Sequence, residues 1–165
     1  MSRDEKKKVL YVIGMDHKLE RFIKKETNVN PENIMILQRY QPLISHPLDE
    51  IMRDIIIAVF KENVEEIVVA FTDDYQKNTE NILIHINKNK ELKDKIQTLE
   101  YLFNNTKPEF PTGTVSEWLQ GGKTLRDGVQ KTVHTIRHHP LLPSHVKVKE
   151  LFIKQDNEKL TGIVV

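Results

Sequence analysis

Hydrophobic positions along this chain fall into short, nearly continuous β-branched runs, separated by segments whose apolar residues recur at helical spacing. Lys8 to Met15 (KVLYVIGM) reads as a strand buried on both faces, as in a parallel sheet. Asn33 to Gln38 (NIMILQ) and Glu66 to Phe71 (EIVVAF) repeat that pattern, the former reached through an Asn30-Pro31 turn. Leu19, Phe22 and Ile23 mark a helix face within 17–25. The clearest helix is predicted from Pro47, capped by Ser45 or His46, with Asp49 and Glu50 near the positive end of its dipole. Leu48, Ile51, Met52, Ile55, Ile56, Val59 and Phe60 give it one wide apolar face, and Asn63 is its expected stop.

Mixed helical sequence runs from Tyr75 to Phe103, and Asn104 to Gly113 (NNTKPEFPTG) is the strongest loop. Trp118 is expected to anchor that loop in the core, ahead of Gly121-Gly122. Leu125, Val129, Val133 and Ile136 define a further helix that ends before Pro140. Val146 to Ile153 and Leu160 to Val165 resemble a terminal hairpin around Asp156-Asn157. The order predicts an α/β fold: an open, mostly parallel β-sheet flanked by helices, with terminal strands at the C-terminus, in a single domain over 1–165. Ligand sites in such sheets lie beyond the carboxyl ends of the strands, which directs attention to Gly14–Lys18, Gln38–Ser45 and Phe71–Tyr75.

Composition narrows the function classes. With 165 residues, 38% hydrophobic and 30% charged, the chain reads as one soluble domain. A formal net charge of +1 offers no electrostatic case for nucleic acid or an anionic membrane. The apolar stretch from Val9 to Met15 is too short for membrane insertion. Cysteine is absent, so there is no disulfide, no thiolate metal site, and nothing that argues for secretion. A cytoplasmic location is expected.

The three turns resemble the active-site turns of the β-class carbonic anhydrases. In that family the first strand runs into Cys-x-Asp-x-Arg and the third into Gly-His-x-x-Cys. The cysteines and histidine bind zinc, and the aspartate and arginine form a dyad beside it. Here the first strand ends Gly14-Met15-Asp16-His17-Lys18 and the third Ala70-Phe71-Thr72-Asp73-Asp74. The segment Val133 to Val148 (VHTIRHHPLLPSHVKV), with Leu151 to Gly162, resembles the family's closing helix, Pro-Leu-Leu-Pro turn and last strands. The resemblance thus places Gly14, Phe71 and Asp74 at the zinc-ligand positions. It also implies a homodimer, and an inorganic-carbon transport protein or a carbonic anhydrase as partner.

Zinc favours thiolate and imidazole ligands, and hydration chemistry needs it to bring bound water's pKa down to about 7. Glycine has no donor and phenylalanine offers an apolar ring, so a zinc-free, non-catalytic homologue is expected, without a cofactor. Asp16 keeps the dyad's aspartate while Lys18 replaces its arginine, retaining charge without the bidentate fork. The pair reads either as a residual anion or acid-base site, or as a turn aspartate on local backbone donors beside a solvated lysine. Lys18, Arg39 and Tyr40 together suggest a small positive pocket for bicarbonate or another oxyanion.

Two rival readings stay open. In one, Asp16, Asp74 and His17 or His46, or else His17, His46, Asp73 and Asp74, rebuild a metal centre, zinc returns as cofactor and the chain is an active carbonic anhydrase. In the other it is a structural partner subunit. His134 and His138, four apart, share a helix face but lie away from the zinc turns in the family's layout. Gly121-Gly122-Lys123-Thr124 has the end of a phosphate-binding loop without its first glycine or preceding strand.

Overall fold

In the computed structural model, residues 7–44, 46–72, 75–105, 113–156 and 159–164 are described. The buried β-branched runs become β1 (Val9–Gly14), β2 (Ile34–Arg39) and β3 (Glu66–Thr72), and the tail becomes β4 (Lys147–Asp156) and β5 (Lys159–Val164). They form one sheet in the order β2-β1-β3-β4-β5. The first four strands are parallel and β5 is antiparallel to β4. Residues 157–158, between these two strands in sequence, lie outside the described residues.

Strand alternation divides the sheet into two apolar faces. Val9, Tyr11, Ile13, Val68, Ala70, Leu151 and Ile153 share one face, closed by Leu19 and Ile23 of α1 (His17–Glu26) with Phe22 beside them. Asp16 starts that helix: its side chain accepts the Lys18 backbone N–H at 2.8 Å. Leu10, Val12, Ile67, Val69 and Val148 alternate onto the opposite face. Buried Ile51, Met52, Ile55 and Val59 lie on α2 (Glu50–Glu62), and buried Val129, Val133 and Ile136 on α6 (Leu125–Arg137). Two polar contacts fasten these segments. The Ile44 N–H donates to buried Thr132 Oγ1 at 2.8 Å, and the Arg137 guanidinium donates to the Val148 carbonyl at 2.8 Å.

Helix α2 begins three residues later than the sequence pattern predicts. The His46–Leu48 segment is a turn, in which His46 Nδ1 accepts the Leu48 N–H at 3.1 Å. Asp49 is the cap, accepting the Met52 N–H at 3.0 Å. A competing local hydrogen bond therefore displaced the Pro47 start, and Leu48 is exposed rather than in the core. Phe60, also expected on the buried face, is 60% exposed. Asn63 ends the helix as expected, in the left-handed conformation (φ 57°, ψ 48°). Ser45 lies outside the described residues.

Contacts group the chain into two compact units, Met1–Asp73 with Val129–Val165, and Asp74–Gly128. The second contains α3 (Tyr75–Asn87), α4 (Lys90–Asn105) and α5 (Val115–Gln120). Within it Asn104 exchanges hydrogen bonds with the Gly113 backbone, at 3.2 and 3.1 Å, across 106–112, which are not described. Gly113 has φ +123°, a conformation that favours glycine. Trp118 does not anchor into a core as expected. It is 53% exposed and its ring packs on Phe103, because Val115 and Gln120 are the buried residues of this single short turn.

Candidate functional site at the carboxyl ends of β1 and β3

Strand order reverses across β1: the chain moves from β1 to β2 on one side, then returns to β3 on the other. In open α/β sheets the ligand crevice lies outside the carboxyl ends at such a switch point. Gly14 ends β1 there, and Phe71 is the penultimate residue of β3. Gly14 pairs with Arg39, and Phe71 with Phe152. Val12 pairs with Val69, so two residues further along each strand Gly14 and Phe71 are level. Arg39, Gly14, Phe71 and Phe152 therefore form one lateral row on one face, each half-buried.

The row has an empty position and an apolar end. A Cβ built on Gly14 meets nothing within 4 Å. The Phe71 ring lies 5.2 Å from that of Phe152, tilted by 60°. Gly14 thus brings no donor, and Phe71 brings a ring committed to apolar packing. These two residues do not fit a zinc ion, which asks for thiolate or imidazole at such positions. Asp73 and Asp74 lie outside the described residues.

The charged candidates are dispersed by their local partners. Asp16 is occupied as the α1 cap, and its bond is to the Lys18 backbone N–H; among the described residues the Lys18 ammonium forms no ion pair with it. Arg39 turns to α2, where Nη2 donates to Asp54 Oδ2 at 3.2 Å and Nη1 lies 3.7 Å from Glu50 Oε2. This competition is not legible from sequence spacing, because the placement of α2 against β2 is what brings Asp54 and Glu50 to Arg39. Tyr40 is 85% exposed. His17 is exposed and stands 4.0 Å from Glu20, whereas His46 is tied to its own turn. Among the described residues no group of three or more His, Cys, Asp and Glu side chains could hold a metal.

Gln38 ends in a buried Nε2 with no hydrogen-bond partner among the described residues; it is level with Ile13, on the face opposite the row. A small cavity of about 170 Å³, lined by Val59, Phe60, Asn63, Val64, Glu65, Pro143 and His145, shares no residue with the row. We assign the row, not this cavity, to the candidate site because it occupies the switch point.

The open, mostly parallel sheet flanked by helices matches the fold of solved β-carbonic anhydrases. The β-carbonic anhydrase isoform I of Trichomonas vaginalis superposes with a TM-score of 0.64 at 17% identity, covering 99% of this chain and 86% of that one. The carbonic anhydrase of Streptococcus mutans gives a TM-score of 0.55 at 15% identity, covering 97% and 83%. No family model matches the sequence. A Bacillus subtilis protein, provisionally named carbonic anhydrase-like protein YbcF, is 45% identical over 159 residues, covering 96% of this chain and 88% of its own length. The chain belongs to the β-carbonic anhydrase family.

Proposed function

We propose that this protein is a carbonic anhydrase-like member that has left zinc-dependent hydration and serves an anion-binding, regulatory or partner role in inorganic-carbon metabolism. The observation that carries the reading is the row itself: Gly14 without a donor beside Phe71 packed on Phe152, at the strand ends where the family places zinc ligands. When bound, zinc supplies hydroxide at neutral pH; here no residue of the row stands ready to hold it. A homodimer belongs to this reading by family resemblance and a cytoplasmic location by the cysteine-free composition, and size-exclusion chromatography with light scattering tests the dimer.

The deciding experiment combines elemental analysis of chelator-dialysed protein with a stopped-flow assay of carbon dioxide hydration. Expected are negligible zinc and no hydration above the uncatalysed rate. Near-stoichiometric zinc with zinc-dependent hydration would overturn the reading and restore the enzyme alternative, with His17, His46, Asp16, Asp73 and Asp74 as ligands to test. For the anion role, bicarbonate raises the melting temperature saturably, and Lys18→Ala removes the shift. Co-purification with an intact carbonic anhydrase or carbon transporter would favour the partner subunit instead.

A further inference from the structure

We infer that His134 and His138 form a bidentate surface site for a divalent late transition metal, copper(II) above nickel(II) or zinc(II), at the C-terminal end of α6. Both residues are exposed, and their ring centroids are 4.1 Å apart with planes inclined by 33°. Helical spacing explains the approach, because residues four apart lie one above the other on the same face. His138 follows the last residue of α6, yet its backbone N–H still donates to the His134 carbonyl at 3.0 Å, so the turn that sets the spacing is closed.

The second observation concerns the proton on His138. Its Nδ1 lies 2.9 Å from the His134 carbonyl oxygen. A carbonyl oxygen only accepts, so Nδ1 carries the hydrogen and Nε2 of the neutral ring keeps its lone pair. Metal-binding histidines are characteristically oriented this way, with the far ring N–H given to a backbone carbonyl or carboxylate. His134 makes no side-chain hydrogen bond among the described residues, which leaves its ring free to turn toward the same ion. Arg137, between them in sequence, is committed to the Val148 carbonyl.

The third nearby histidine is excluded on the same grounds. His139 Nε2 donates to the Pro47 carbonyl at 3.1 Å and Nδ1 accepts the Leu141 N–H at 3.2 Å, so both nitrogens of this buried ring are used. Among the described residues no third donor completes a metal-holding group. Water fills the remaining positions, and the ion is exchangeable. Imidazole nitrogen suits copper, nickel and zinc, and copper(II) stands highest in the affinity order of divalent first-row metals.

The test is calorimetric titration of the full chain with copper(II) alone, paired with electron paramagnetic resonance. One ion per chain with nitrogen hyperfine structure is expected. His134→Ala and His138→Ala each weaken binding by at least about tenfold, since loss even of a supporting partner typically costs that much. His85→Ala, on α3, leaves it unchanged. Both exposed substitutions retain the wild-type circular dichroism, so loss of binding is not loss of fold. Wild-type affinity in both variants, or equal weakening by His85→Ala, overturns the inference. The site is independent of the row, and the chelator-dialysed assay above does not read it.

Discussion

Phe71 and Phe152 are register partners on β3 and β4, and their rings meet at 5.2 Å in a tilted contact. The pair fills one end of the switch-point row with apolar packing. Such ring pairs add about 0.5–1.5 kcal/mol beyond their buried area. Phe71→Ala is expected to lower stability by about 1–3 kcal/mol, less than for a fully buried phenylalanine. Urea unfolding of Phe71→Ala, Phe152→Ala and the double variant measures the coupling, and strictly additive losses would show that the rings do not support each other.

Gly14 has room for a side chain, and it is not among the described glycines with positive φ. Gly14→Ala should therefore leave stability unchanged or raise it by up to about 1 kcal/mol, by restricting the unfolded chain. The same space admits a thiolate. Combining Gly14→Cys, Phe71→His and Asp74→Cys is expected to produce a protein that retains zinc through chelator dialysis, read by elemental analysis. A triple variant that folds but stays zinc-free would mean that the three positions do not converge as the family resemblance implies.

Arg39 is drawn to Asp54 and Glu50 on α2. A bound oxyanion must compete with those carboxylates for the guanidinium. Asp54→Ala is expected to increase the bicarbonate-induced rise in melting temperature, whereas Arg39→Ala reduces it. Since the pair is partly exposed, its loss alone costs at most about 1 kcal/mol. Identical bicarbonate responses in wild type and both variants would remove Arg39 from the anion site.

Glu66 is 8% exposed at the start of β3, with Lys7 and Lys149 ion-paired to its carboxylate. Burial opposes its charge, but the hydrogen bonds and charges of the two lysines outweigh it and hold the carboxyl below its ordinary value of 4.5. Below that value the unfolded chain takes up more protons than the folded one, so stability falls as pH drops toward the folded value. Above the ordinary value the contribution is fully present. Urea midpoints from about pH 6 to about pH 3 should therefore decline, and Glu66→Gln should flatten part of the decline while lowering stability at neutral pH. An unchanged slope would show that Glu66 is not the group responsible.

Much of the fold is local and so was legible in the sequence. β1 and β3 are apolar on both faces, which only a sheet covered on both sides accommodates, and α2 carries its buried row at helical spacing. The absence of cysteine and the identities of Gly14 and Phe71 are likewise properties of the chain alone, and they determine which donors the strand ends offer. Tertiary structure decided the pairings. Whether Phe71 meets Phe152, Arg39 meets Asp54, or Ile44 meets Thr132 depends on register and helix placement between residues far apart in sequence. Hydrophobic periodicity says which face a side chain takes but not what stands opposite. The start of α2 failed for a local reason, since His46 and Asp49 both competed for backbone donors and geometry chose Asp49. The spacing of His134 and His138 showed a shared face; only the bond from His138 Nδ1 to the His134 carbonyl revealed which nitrogen is left to act.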